Sequence, residues 1–267
     1  LALVDAANNR GVDVSSDQYP YAASSTGIDV LFPAWSLADG RDARLARLAD
    51  IETRARIKQG IMDNIRYDRG GNDPARVAIA SCDWDSSLNG LNLSEILSAR
   101  GAEVNIEKAA ELVMELEEKG GCQAVYHAMS DEDVVRIMQH SRTMVASDGG
   151  IHRPAEDRPH PRNYGSFARV LGYYVRERQV LSFEAAIHQM TRMPADRSGL
   201  AERGRIEPGA LADIAVLNPA TVIDRATFQD PHQFSEGVEH VWVNGQPVLL
   251  HRKMTGARPG RVLRNRP

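Results

Sequence analysis

Histidine is missing from this chain of 267 residues until His127, and neither a His-x-His nor a His-Glu-x-x-His spacing occurs anywhere. The sequence therefore does not spell out a zinc site complete in itself. Cysteine is nearly absent as well. Cys82 and Cys122 are the two that occur, too few for a disulfide framework, which makes a reducing compartment such as the cytoplasm the default. Far apart in sequence, they read as small apolar fillers rather than metal ligands. No apolar run is long enough to span a bilayer and no signal-peptide pattern opens the chain. Charge of one sign is lacking too, with 32 Lys and Arg against 36 Asp and Glu, a net charge of -4 and a pI near 6.1. That balance excludes a general attraction to nucleic acid or to an anionic membrane surface. There is no internal repeat and no low-complexity segment. An initiator Met is also missing, and Leu1, Leu3, Val4 and Ala7 have helical spacing, so the chain reads as a fragment that begins inside a helix.

What is present is an ordinary globular composition, 42% hydrophobic and 25% charged, with length for one large α/β domain and an appendage or for two domains. A strand is expected over 12–17 and a loop over 22–40. One charged helical stretch follows over 41–66, with Leu45, Leu48 and Ile51 on one face. Further strands are expected over 77–80, 124–127 and 143–147, and further helices near 93–100, 106–119, 165–178 and 183–192. Gly120-Gly121 stops the 106–119 helix, and Ser130 with Asp133 makes a capping-box-like start to another. The texture turns β-like after residue 200, with short runs near 206–209, 213–217 and 241–243. Asn244-Gly245 ahead of Val248-Leu249-Leu250 signals a hairpin. The basic tail over 251–266 has no interleaved aromatics and reads as a strap over the surface.

Three stretches could carry chemistry. Asp148 ends an apolar strand and precedes Gly149-Gly150. A carboxylate at a strand's C-terminal end faces substrate in a (β/α)8 barrel and can bind a metal or move a proton, although strand-Asp-Gly-Gly is also a plain turn. Asp17 to Tyr21 offers a carboxylate and two phenols for a pocket wall, or a Pro-anchored turn. Asp157-Arg158-Pro159-His160-Pro161-Arg162 displays guanidinium groups on a stiff loop, suited to clamping a carboxylate or simply solvated. His152 and His160 could face the same site. His188, His232, His240 and His251 read as surface or packing residues, and Asp83-Trp84-Asp85 as a turn rather than a carboxylate pair.

Taken together, these pieces resemble the N-acyl-D-amino-acid deacylases (D-aminoacylases) of the amidohydrolase superfamily. The resemblance runs from Asp17-Gln18-Tyr19-Pro20-Tyr21 through Ser147-Asp148-Gly149 and Arg158-Pro159-His160-Pro161-Arg162. It continues through Arg169 to Arg176 and Pro208 to Asp213, and closes on Val243-Asn244-Gly245 and Gly260 to Arg264. It is weakest over 28–120. It implies an α/β fold, the C-terminal part of a distorted (β/α)8 barrel over 1–200, with a helical insertion at about 28–120 over the active face. The C-terminal share of a small β-sandwich would follow over 201–267. It implies zinc, held mainly by residues expected ahead of Leu1, with Asp148 a possible ligand of a second metal. Asp148 would be the catalytic carboxylate, and Tyr19, Ser25 and Arg162 would bind the α-carboxylate of a small N-acyl-D-amino acid. By itself such a piece is expected to be inactive and, with uncovered strand edges, prone to aggregate. Two other readings stand beside this one: a cyclic-amide amidohydrolase of the dihydroorotase or hydantoinase kind, and a non-catalytic remnant.

Overall fold

A computed structural model describes residues 1–154 and 157–264. Helix α1 (Ala2–Asn9) leads into strand β1 (Ser16–Gln18) and strand β2 (Ser24–Gly27). Helices α2 (Gly40–Ala49) and α3 (Ile51–Tyr67) follow, then β3 (Val77–Ser81), α4 (Leu93–Ala99), α5 (Ile106–Lys119) and β4 (Gln123–Tyr126). Helix α6 (Asp131–Met138) precedes β5 (Thr143–Val145). Helix α7 (Arg162–Arg169) runs on as a π-helix (Val170–Glu177), followed by α8 (Phe183–Met190) and α9 (Arg192–Arg197). Strands β6 (Ile214–Leu217), β7 (Val238–Val243), β8 (Gln246–Leu250) and β9 (Lys253–Met254) close the chain.

The described residues form three sheets. Strands β1 and β5 pair in parallel, Ser16 opposite Thr143 and Gln18 opposite Val145. The Gln18 amide donates to Val134 O at 2.9 Å, which ties α6 to the pair. Because the two strands run the same way, their C-terminal ends deliver Tyr19 and Asp148 to one side of the molecule. Strands β2, β4 and β3 form an antiparallel sheet with β4 in the centre. Strands β6 to β9 form an antiparallel sheet in chain order. Its Asn244-Gly245 turn has φ 50° and 77°, the left-handed pair that a tight hairpin requires.

Residues 28–120 are not purely helical. They supply β3 as well as α2 to α5, and they build a core together with strand β4. Ile57, Ile61 and Ile65 repeat at i, i+4 on α3 and are fully buried. They pack with Leu112, Val113 and Leu116 of α5 and with Tyr126 of β4. Burying each isoleucine contributes about 1.5–3 kcal/mol. The helical stretch breaks at Asp50, whose carboxylate accepts from Thr53 N at 2.8 Å and so starts a second helix. Gly120, at φ 144°, ends α5 where an L side chain would be strained. A second core joins Val134, Met138, Val145, Leu171, Tyr174 and Val222.

The structure corrects several expectations. Strand pairing begins at Ser16, and residues 12–15 lie outside any strand. Ser24–Gly27 is a strand and not loop. Residues 206–209 form no strand; Gly209 sits in a turn at φ 91°. Cys82 and Cys122 are bonded to one another in a disulfide between the end of β3 and the start of β4, where the sequence suggested separate fillers. In the tail, the Asn244 amide donates to Pro259 O at 2.7 Å, and residues 265–267 lie outside the described residues.

Candidate active site

The site is assembled where the β1–β5 pair meets the edge of the β2–β4–β3 sheet. Arg162, the first residue of α7, is at its centre, with its side chain only 10% exposed. Its Nη2 lies 2.9 Å from Asp148 Oδ2 and donates to Ser25 O at 3.2 Å. Its guanidinium lies over the Tyr19 ring, 4.7 Å from the centroid. Asp148, Tyr19, Ser25 and Arg162 are thus brought into one cluster. Ser25 meets Arg162 through its backbone carbonyl.

Local backbone choices hold this arrangement. Asp148 itself adopts φ 46°, a left-handed conformation that Asp tolerates better than most residues. Asn163 Oδ1 accepts from Gly150 N at 2.8 Å, which fastens the glycine pair to the start of α7. Asn163 gave no sequence signal, because an amide early in a helix is ordinary. The loop ahead of α7 is joined to the β-sheet by Arg158 N donating to Ala80 O at 2.7 Å. Burial pushes the Tyr19 phenol up, and Arg162 pulls it back in part. The phenol therefore stays protonated across the neutral range and donates to Met129 Sδ at 3.7 Å.

Two hollows open on Asp148. One of about 740 Å³ is lined by Asp17, Gln18, Tyr19, Met129, Val134 and Ile137. The other, about 180 Å³, is lined by Ser25, Ser81, Gln123, His152 and Arg162 among others. Asp148 borders both, so a group held at Arg162 lies beside the carboxylate whichever hollow takes the rest of the molecule.

The remaining candidates separate clearly. His160 is 2% exposed and both its nitrogens are engaged, Nε2 with Ala23 O at 3.0 Å and Nδ1 with Arg162 N at 3.0 Å. It therefore does not face the site as a free ligand. His152 Nδ1 lies 3.7 Å from Asp157 Oδ2. His232, read as a surface or packing residue, joins Tyr164 Oη at 2.8 Å to Asp157 Oδ1 at 2.9 Å. Asp85 caps a turn by accepting from Ser87 N, and the Trp84 indole donates to Gly121 O at 3.0 Å. Tyr21 leaves the pocket wall. It packs under Arg169, 4.9 Å from the ring centroid, while Arg169 pairs with Asp224 at 3.3 Å.

Among the described residues no group of three or more His, Cys, Asp or Glu side chains could hold an ion. The other carboxylates lining the two hollows, Asp17, Asp133 and Asp157, do not gather with Asp148 into such a group, both His160 nitrogens are engaged, and the two cysteines are bonded together. These residues do not make a zinc site by themselves.

Residues 154–249 match the amidohydrolase family. The chain is similar to D-aminoacylase of Alcaligenes xylosoxydans xylosoxydans, 36% identical over 98% of this chain and 44% of that protein. Among solved structures it is similar to a D-aminoacylase mutant in complex with copper chloride, with a TM-score of 0.74 and 34% identity over 99% of this chain and 45% of that one. It is also similar to N-acyl-D-glutamate deacylase of Bordetella bronchiseptica, complexed with zinc and a phosphonate that mimics the tetrahedral intermediate. The TM-score there is 0.68, with 32% identity over 94% of this chain and 45% of that one. The chain spans less than half the length of the curated relatives it matches. Among the described residues, no helix is long and apolar enough to cross a membrane.

Proposed function

We propose that the enzyme containing this chain hydrolyses the amide bond of N-acyl-D-amino acids to a free D-amino acid and a carboxylate. The observation that carries the reading is the Arg162 guanidinium, shielded from water and set 2.9 Å from the Asp148 carboxylate. A substrate α-carboxylate is the anion that such a fork takes best. On arrival it would replace Asp148 on Nη2, with the Tyr19 ring behind the guanidinium and Ser25 beside it. Asp148, freed from its partner, would take a proton from the attacking water. The water oxygen bonds to the acyl carbon, the C–N bond breaks, and Asp148 passes the proton to the departing amine. Fixing the α-carboxylate at Arg162 decides which face of the chiral carbon meets Asp148, and that fixing is our account of D-selectivity.

Zinc is the cofactor proposed for the whole enzyme, supported by the zinc-bound glutamate deacylase; copper occupies another relative. Strands β1 and β5 are proposed as two strands of the (β/α)8 barrel, and β6 to β9, beyond a boundary near residue 200, as a share of the β-sandwich. The proposed partner is the small-molecule substrate, with neither nucleic acid nor membrane. For location we propose the cytoplasm from the economy of cysteine, while the Cys82–Cys122 bond argues the other way; trapping free thiols in freshly lysed cells tests it.

The test of function uses the intact enzyme. Bound metal is measured, and N-acetyl-D-methionine and N-acetyl-L-methionine are offered to the parent and to Asp148→Ala. Release of the D-amino acid alone, abolished in the variant with metal retained, is the expected result. Metal without turnover of either enantiomer would overturn the proposal in favour of a cyclic amide.

A further inference from the structure

His160 is a titratable side chain buried beside the site and given no part in the reaction above. Its surroundings are unusually complete. Pro159 and Pro161 flank it, so neither neighbour has a backbone N–H to offer and each has its φ fixed near −65°. Helix α7 opens at Arg162 behind Pro161, leaving the Arg162 N–H among the orphan donors of a helix start. The His160 ring supplies the missing acceptor, taking that N–H on Nδ1 at 3.0 Å. The acceptor role fixes the tautomer: Nδ1 is bare, so the proton is on Nε2, which donates to Ala23 O at 3.0 Å. Three rings meet the imidazole edge-on, Tyr19 at 5.8 Å, Tyr21 at 5.2 Å and Phe228 at 5.1 Å between centroids.

The consequence is a bridge. One end of the imidazole grips the backbone of the residue whose guanidinium is the clamp. The other end grips the chain two residues ahead of Ser25, whose carbonyl receives that guanidinium. The same ring packs against Tyr19, over which the guanidinium lies. Every element that meets the Arg162 side chain, apart from Asp148, is thereby referenced to one imidazole.

We propose that His160 is a positioning residue for the Arg162 carboxylate clamp, acting as a neutral Nε2–H imidazole that caps α7 and fixes the clamp's distance from the Ala23–Ser25 segment. This rests on the deacylase reading for its effect on substrate, but not for its geometry. Burial holds the ring's pKa down at about 3, with the backbone bond to Ala23 opposing and the charge of Arg162 assisting. The neutral form therefore persists through the working range of a hydrolase.

The test compares His160→Leu, His160→Gln and His160→Asn in the intact metal-loaded enzyme. Asn places Oδ1 where Nδ1 stands and keeps the bond to the Arg162 N–H; Gln reaches toward Ala23 and loses it. Expected is a rise in KM of about tenfold for Leu and Gln, the size of one lost buried hydrogen bond. With kcat little changed, Asn should restore most of the loss. In an Arg162→Ala background, His160→Leu should add no further loss, since the two act as a unit. Additive losses, or a KM that stays put in all three variants, would overturn the proposal and leave His160 a packing residue. Imidazole ¹⁵N shifts give a readout that needs no turnover. Nε2–H with bare Nδ1 at neutral pH is expected, and Nδ1–H or imidazolium would overturn it. If the parent hydrolyses no N-acyl-D-amino acid, the activity proposal fails separately. A shift of the Arg162 Nε–H resonance in His160→Leu that is absent in His160→Asn would then still support the bridge, and no shift in either would refute it.

Discussion

Replacing Glu117 by Leu removes the anion from the best-buried ion pair in the 28–120 region. Glu117 is 3% exposed and Arg44 8%, with Oε1 2.8 Å from Arg44 Nη2. Arg41 Nε is 3.7 Å away and exposed enough to turn to solvent. Arg44 is not so free. Its Nε already has no hydrogen-bond partner among the described residues, and its other anion is the half-exposed Asp29 at 3.1 Å. Stranding a buried charge costs about 3–5 kcal/mol; Asp29 offsets part of this, so we expect about 3 kcal/mol. Burial pushes the Glu117 carboxyl up from 4.5 despite Arg44, and exchanging a buried ion pair for apolar residues of similar volume is often neutral in stability. A raised acid favours the fold below its ordinary value and loses that contribution as pH rises through the shifted one. The joint variant Glu117→Leu with Arg44→Met is therefore expected near parent stability. Urea unfolding of the intact protein, followed by tryptophan fluorescence from Trp35 and Trp84 in this region, reads both. At a slope near 3 kcal/mol per molar the single variant loses about 1 M in midpoint. A single-variant cost under about 1 kcal/mol, the range of exposed pairs, would refute the reasoning. So would a joint variant as damaged as the single one.

Three further outcomes are expected. Arg162→Lys keeps the charge but loses the fork, and a lost charge-assisted bond of about 1.5–3 kcal/mol should raise the KM for N-acetyl-D-amino acids by roughly 10- to 100-fold; unchanged KM would remove Arg162 from the clamp. Cys82→Ser opens a loop of 40 residues, for which chain entropy gives about 4 kcal/mol, seen as a lower Tm that added reductant does not lower further. Third, His160 is neutral when folded, with its pKa at about 3 against 6.5, so the unfolded chain binds its proton first. Stability is then whole above about 6.5 and drains away as pH falls toward 3, by roughly 3–5 kcal/mol in all. Burial is the main cause of that depression, and the charges of Arg162 and His127 beside the ring add to it. Acid titration of Tm for the parent against His160→Leu isolates this term, and parallel curves would contradict it.

How much of this could be read from the chain depends on where each signal resides. Helix α5 was legible because its Gly120-Gly121 stop is local; the Asn105 cap bonded to Lys108 N was found in the structure. The Ser130 start and the Asn244-Gly245 hairpin were legible for the same reason. Strand β2 was not. Ser-Ser-Thr-Gly has no apolar face, and what makes it a strand is the β4 backbone, paired from Ser24 opposite Tyr126. The π-helix after α7 has no local signature either, and the one-residue break at Asp50 was hidden in an unbroken run of charge. At the site, Tyr19, Asp148 and Arg162 stood out because prolines, glycines or a strand end mark them. The contact of Arg162 with Ser25 runs through a carbonyl that every residue has, so no sequence could advertise it. The cysteine pair and the two-handed role of His160 arise from chain segments brought together only by folding.

The rung between Ser24 and Tyr126 has a further meaning. The chain enters the region between them and leaves it through two residues that face each other across one ladder, a doorway with further ties where Arg158 N donates to Ala80 O and His127 N to Arg76 O. Residues may be gained, lost or exchanged inside it while β1, α6 and β5 keep their places, because the cost of a longer detour grows only with the logarithm of its length. The first step inside the doorway carries Ser25, opposite Val125, and just outside it lies Ala23, under the His160 ring. Exchange of residues beyond that first step would therefore redraw the wall that Ser81 and Gln123 present to the smaller hollow, while Tyr19, Asp148 and Arg162, outside the doorway, keep their places.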